Sequence, residues 1–435
     1  MLRKYRNMYM GKTKRSGPKS GRTRSNRSLL GKMSRRVVKG FRRVTGKMMK
    51  MVKRNRKMKM WGGTGVKILT KSDFESAING SKREKNILLI IDPQNSFSDE
   101  KTGVRKTGSL AVTNSSNDYL KIISFIEKNK AFIDEIHISL DTHTDRHIGH
   151  VDFWQSRAIG EETFNDCTEV EMRDVLRILR VDIDKTRGNK IIGSSILEGK
   201  PDREYIPRNY SGGNSTEYTR LCKYVESYIL SYNRGKNKHS QVPWIWPKHC
   251  IEGSDGHKIA VELQSRLDVF AIEKPGSVKY HIKGQNNLAE MFSIFSAEFP
   301  VIDKTTKELK NYIYTGSKTE PFPESGASSY EEAISKLNLN TRPNAVFMNS
   351  LLGDNNRVFV CGEAKTHCVR SSIIDLMENK PGLDSDRIVL LANMTSPIPG
   401  TPGDEAGTNI EGDVVTAGYT VFAPGRDTEI PVFSK

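Results

Sequence analysis

Five consecutive aliphatic residues, Ile87-Leu88-Leu89-Ile90-Ile91, run straight into Asp92. A run of strand length without polar alternation suits a strand covered on both faces, the usual situation in a parallel sheet packed between helices. From Asn117 to Lys130 the positions of Leu120, Ile123 and Ile126 follow helical spacing, and Glu135 to Leu140 reads as the next strand, ending on Asp141. Further strands are predicted at Val269 to Ile272, Arg357 to Cys361 and Arg387 to Leu391, with a helix from Cys368 to Asn379. This alternation predicts an α/β fold with a mainly parallel sheet flanked by helices. In such folds reactive groups gather at the carboxyl ends of strands, where Asp92, Asp141 and the stretch after Cys361 fall. Residues 151–243 and 300–350 are polar and rich in Tyr, Asn and Ser, and are read as insertions.

Charge divides the chain. Of 435 residues carrying a formal charge of +18, the first 60 hold 23 Lys and Arg and no acid, leaving 46 basic against 51 acidic residues in the remainder. Residues 1–28 have too little apolar surface to offset the entropy of ordering and are expected to be a disordered basic tail. Over residues 29–60, Leu30, Met33, Val37, Phe41, Val44, Met48 and Met51 form one helical stripe among cations that include Arg35, Arg36, Lys39, Arg42 and Arg43. Residues 61–83 read as a linker and 84–435 as the folded domain. The basic arm suits phosphate binding on nucleic acid, which is the preferred reading. An anionic membrane surface, an organelle presequence and a solubilising tail stand as alternatives.

No apolar run reaches the roughly 18 to 20 residues of a membrane span, and no secretory signal is expected. Five scattered cysteines suit free thiols in a reducing compartment, so an intracellular protein, cytoplasmic or nuclear, is expected.

Three groups of residues carry potential chemistry. Cys368 lies where a buried strand is predicted to turn into a helix, whose N-terminal partial charge favours a thiolate, although buried cysteines are more often inert packing. Asp141 and His143, with His147 and the distant His249, supply a carboxylate and imidazoles of the kind that hold Zn, Fe or Mn. Taken singly, each is more often an ordinary surface or core residue. Asp92 and Lys283 complete the set, and alone they would signify little.

Six segments in order carry a resemblance to the isochorismatase-like cysteine hydrolases, and among them to the nicotinamidases, or pyrazinamidases. They are Asp92-Pro93-Gln94-Asn95-Ser96-Phe97, Gly108-Ser109-Leu110-Ala111-Val112, Asp141-Thr142-His143 with His147, Trp246-Pro247-Lys248-His249-Cys250 with Gly253, Ile282-Lys283-Gly284, and Gly362-Glu363-Ala364-Lys365-Thr366-His367-Cys368-Val369. Together they span about residues 86 to 425 and leave the basic extension untouched.

The resemblance implies that nicotinamide is converted to nicotinate and ammonia in NAD salvage, through a thioester on Cys368. Asp92 would be the proton carrier, Lys283 the stabilising charge, and the backbone N–H groups of Ala364 and Cys368 the oxyanion hole, after a cis peptide preceding Ala364. It further implies one divalent ion (Zn, Fe or Mn) held by Asp141, His143 and His249, with His147 as a fourth ligand or a support, and a substrate ring between Phe97 and Trp246. Ser96 stands where the family usually has Asp, and Lys365-Thr366 replaces its usual pair beside the nucleophile, so substrate preference stays open. Other readings are a related cysteine hydrolase acting on a different small amide, and a scaffold tethered to nucleic acid through the arm. The insertion after His150 is expected to serve as a lid or as a contact in a homo-oligomer.

Overall fold

The computed structural model describes residues 67–69, 71–99, 108–158, 160–167, 179–184, 190–195, 203–209, 216–233, 243–301, 309, 341–384, 386–398, 420–422 and 430–433. The chain divides into two units, Met1–Trp61 and Gly62–Lys435, and every described residue belongs to the second. The tail, the amphipathic segment and the cations Arg35, Arg36, Lys39, Arg42 and Arg43 lie outside the described residues.

Seven strands form the central sheet: β1 (Lys67–Leu69), β2 (Asn86–Ile91), β3 (Glu135–Asp141), β10 (Val278–Lys283), β11 (Arg357–Gly362), β12 (Ile388–Leu391) and β13 (Thr420–Phe422). Their order is β1-β13-β12-β11-β2-β3-β10, and every pairing is parallel. The aliphatic run behaves as its composition requires. Ile87, Leu89 and Ile91 enter one apolar cluster with Val358, Val360 and Ile388, while Leu88 and Ile90 enter another with Phe359 and Val389. Successive side chains of a strand point to opposite faces, so a run apolar at every position needs cover on both.

Helices α1 (Lys71–Asn79), α2 (Ser115–Asn129) and α4 (Val261–Glu273) contribute Phe74, Ile122, Phe125, Leu263 and Leu267 to one cover. The other comes from α5 (Ala345–Leu352) and α6 (Arg370–Asn379), through Leu351, Leu352, Ile373 and Leu376. The architecture is therefore α/β, with a parallel central sheet and helices on both faces.

Two expectations require correction. The stretch read as a linker contains β1 and α1, whose Phe74 and Ile78 are core residues. Val269–Ile272 is the last part of α4, not a strand. Its short apolar run fits either structure, and burial of Leu263, Leu267 and Phe270 at steps of three and four decides for the helix. Within the insertion at 151–243, the described residues carry a second sheet. Strands β4 (Trp154–Ala158), β5 (Asn165–Asp166), β6 (Leu179–Asp184), β7 (Lys190–Ser195), β8 (Arg203–Pro207) and β9 (Trp244–Ile245) pair antiparallel in the order β5-β4-β8-β7-β6-β9. Helix α3 (Thr216–Asn233) supplies Leu221, Val225, Tyr228 and Ile229 to a third apolar cluster with Phe153, Trp154 and Tyr205. That cluster also includes Ile148 and Leu288, so the added layer is rooted in the loops that follow β3 and β10. Among the described residues, no helix is long and apolar enough to cross a membrane.

Candidate active site

Parallel pairing puts all strand carboxyl ends on one side, and the register makes them level. Lys283 pairs with Asp141, and Gly362 with Ile91, whose next residue is Asp92. Gly362, at φ 101°, lies so close to the neighbouring strand that a Cβ would stand 2.1 Å from the Ile91 carbonyl oxygen. A side chain there would push the two strand ends apart.

Asp92 is fully buried and adopts φ 43°, an uncommon conformation for a residue with a side chain. Its N–H donates to Ser139 Oγ at 2.9 Å, and that hydroxyl donates back to Oδ1 at 2.6 Å. Lys283 Nζ, 1 % exposed, lies 3.0 Å from Asp92 Oδ2, 2.9 Å from Asp141 Oδ1, 3.0 Å from the Met291 carbonyl oxygen and 3.7 Å from Cys368 Sγ. The two carboxylates hold the ammonium charged, well above its usual range, against the opposing effect of burial. Asp141 is held well below the usual carboxylate range by His143 and Lys283, which outweigh its burial.

Cys368 falls within a π-helical turn, Lys365–Val369, leading into α6. Its thiol is 7 % exposed and within hydrogen-bonding reach of Asp92. Burial pushes the thiol well up and outweighs the nearby ammonium. Burial thus works against the thiolate that the helix terminus was expected to favour. The peptide between Glu363 and Ala364 is cis.

Gln94 locks the ends of β2 and β3 together. Its Nε2 donates to the Asp141 carbonyl, and its Oε1 accepts from the Asp141 N–H, both at 2.8 Å. Ser96 accepts from the Cys250 N–H at 2.8 Å and anchors the turn that carries His249. Phe97 and Trp246 are each 2 % exposed and share one apolar cluster with Cys368 and Phe292.

Beside these groups stand His143, His147, His150 and His249, all buried. His143 Nδ1 faces the Gly284 carbonyl and His249 Nδ1 the Pro247 carbonyl, both at 2.9 Å. A carbonyl only accepts, so each Nδ1 carries a proton, and each Nε2 is the nitrogen available to an ion. Those two nitrogens approach Asp141 Oδ2 at 2.9 and 3.5 Å. Three acceptors converging on one point call for a cation between them. Gly284, at φ 79°, permits this closeness, since a Cβ there would lie 2.6 Å from Asp141 Oδ1.

His147 is otherwise employed. Its Nδ1 accepts from the Gly149 N–H at 3.1 Å, and its Nε2 faces the Ala289 carbonyl at 3.2 Å. His150, absent from the sequence reading, is fully buried, and neither ring nitrogen has a hydrogen-bond partner among the described residues. It offers a nitrogen within 4.8 Å of donors from His143 and His249, and Glu290 does the same with His143 and His147. An orphaned buried imidazole facing two others fits a divalent ion of the Zn, Fe or Mn class. The residues present therefore suit the expected metal, His150 grouping with His143 and His249, and His147 with His143 and Glu290. The only hint in the sequence was its spacing, seven residues after His143. Glu290, on an irregular loop, left none.

No protein-family model and no curated protein matches this chain. Among solved structures, the yeast nicotinamidase Pnc1p is similar at 14 % identity and TM-score 0.38, over 78 % of this chain and 99 % of that one. The zinc complex of Pyrococcus horikoshii pyrazinamidase gives 14 %, 0.35, 78 % and 99 %, and an Acinetobacter nicotinamidase 13 %, 0.38, 79 % and 97 %.

Proposed function

We propose that the chain is a metal-binding cysteine amidohydrolase that converts nicotinamide to nicotinate and ammonia and so serves NAD salvage. The observation that carries this reading is the meeting of Cys368 Sγ, Lys283 Nζ and the Asp92 carboxyl beside a cluster of buried imidazoles.

Asp92 takes the thiol proton as the sulfur attacks the amide carbon, and Lys283 stabilises the charges that appear on both partners. The carbonyl oxygen becomes an oxyanion held by the N–H groups of Ala364 and Cys368, each such donor contributing about a hundred- to a thousandfold in rate. Collapse breaks the C–N bond, and Asp92 returns its proton to the departing nitrogen, which leaves as ammonia. Water then attacks the thioester. Asp92 accepts the water's proton, and the C–S bond breaks to give the carboxylate and restore the thiol.

His143, His150 and His249, with Asp141, would hold the divalent ion, which when bound supplies a Lewis-acid partner for a pyridine ring nitrogen. Phe97 and Trp246 would flank the ring.

The test is ammonia release from nicotinamide by Zn-, Fe- or Mn-loaded protein. Cys368→Ala is expected to lower kcat at least about a thousandfold. Release from another small aromatic amide, with none from nicotinamide, would move the substrate assignment while keeping the chemistry. No release from any such amide would remove the amidohydrolase reading.

A further inference from the structure

Two buried carboxyls that the proposed reaction does not use meet beside the nucleophile turn. Glu363 is 0 % exposed, and Asp118, from the first turn of α2, is 1 % exposed. Ser396 joins them, its N–H donating to Glu363 Oε2 at 3.2 Å and its Oγ donating to Asp118 Oδ2. Glu363 Oε1 has no donor among the described residues. Two carboxyls buried on one serine repel each other as ions, so one of them keeps its proton.

The surroundings say which group carries it. Asp118 has partners for a negative charge: Asn114 Nδ2 donates to it at 3.2 Å, Ser396 Oγ donates to it, and Lys121 Nζ lies at 3.7 Å. Glu363 receives only the Ser396 N–H at 3.2 Å, and burial and the Asp118 charge push its carboxyl well up. Burial raises Asp118 less, to about 6. The proton therefore belongs to Glu363.

The connections made by this pair are what give it consequence. The Ser396 carbonyl, just past β12, accepts from the Lys365 N–H at 2.8 Å, and the Ile91 carbonyl, one residue before Asp92, accepts from the Glu363 N–H at 2.8 Å. One protonated carboxyl thus links the end of β11 to α2 and to the segment after β12. The backbone it ties down is the one that presents Ala364 and Cys368.

We propose that Glu363, protonated and joined to the Asp118 carboxylate through Ser396, is a positioning residue that holds the Ala364–Cys368 turn in register with Asp92. This rests on the reading of Cys368 as the nucleophile.

The experiment compares Glu363→Gln, which keeps an uncharged acceptor toward Ser396, with Glu363→Met, which lacks one. The Gln variant is expected to keep kcat within about threefold of wild type, and the Met variant to lose roughly a hundredfold in kcat with KM changed less than about threefold. A purely architectural role would not divide kcat from KM in this way, nor be rescued by the amide. Alkylation of Cys368 by iodoacetamide, mapped by peptide mass, is expected to slow about tenfold in the Met variant alone. Should that variant fail to fold, the Asp118→Asn/Glu363→Met double variant, which removes the stranded charge, takes its place with the same expected losses.

A Met variant with wild-type kcat and alkylation rate overturns the inference, as does a Gln variant equally impaired. If wild-type protein releases no ammonia from nicotinamide, the substrate reading fails on its own, and the alkylation comparison still decides the role of Glu363.

Discussion

Lys283 concentrates the electrostatics of the site in one atom. It lies between two buried carboxyls, and neither could stay ionised at that depth without a cation of comparable burial. Replacing it by Met takes the cation from Asp92 and leaves Asp141 only its imidazole neighbours, so Lys283→Met is expected to lower stability by about 3–5 kcal/mol, the usual cost of breaking a buried pair. Adding Asp92→Asn should recover part of that loss in urea unfolding, whereas a lysine merely filling space would show no such coupling. His150 supports a separate expectation. If its bare nitrogens face the ion, His150→Phe keeps ring volume and removes the donor, and metal affinity should fall by about 10- to 100-fold. Metal content after dialysis against a graded chelator measures this without reference to turnover, and an unchanged content would return the ligand role to His147.

At the level of elements, the pairing of β3 with β10 brings charge to the edge of the central sheet. Glu135 sits at the start of β3 with Lys85 and Lys279 each at 2.6 Å and His137 at 3.0 Å. These partners outweigh desolvation and hold its carboxyl down at about 2, from 4.5. A folded-state value below the unfolded one means the stabilisation is complete above about pH 4.5 and is lost as the pH falls toward about 2. Glu135→Gln should therefore flatten the acid side of the stability curve between those limits, read as the melting temperature at pH 5 and pH 2.5. Equal slopes in wild type and variant would show that the edge charges contribute nothing. The antiparallel layer makes a different point about elements. Its strands escaped notice because they are short and polar on one side, and because their apolar partners, Ile148 and Leu288 among them, lie far away in sequence. Periodicity within a window cannot register cover supplied from outside it.

For the whole molecule, the division of charge in the sequence leads to a clear expectation. The groups proposed for catalysis all lie at residue 92 or beyond, while 23 cations crowd the first 60 residues. A chain lacking residues 1–60 should release ammonia with unchanged kcat yet lose most of its retention on double-stranded DNA, along with the steep salt dependence of that binding. Retention that survives the truncation would dissociate the arm from nucleic acid.

The sequence by itself determined the parallel sheet and the positions of its reactive strand ends. An aliphatic run such as Ile87–Ile91, closed by Asp92, is a local pattern whose burial requirement admits few solutions. It likewise marked Asp92, Lys283 and Cys368, because short motifs in a fixed order survive large insertions. Only the tertiary structure decided that both ring nitrogens of His150 lack a hydrogen-bond partner among the described residues, that burial pushes the Cys368 thiol up, and that Ser396 joins Glu363 to Asp118 across 245 positions of chain. Hydrogen-bond satisfaction and desolvation belong to neighbours in space, and no spacing along the chain encodes which neighbours those will be.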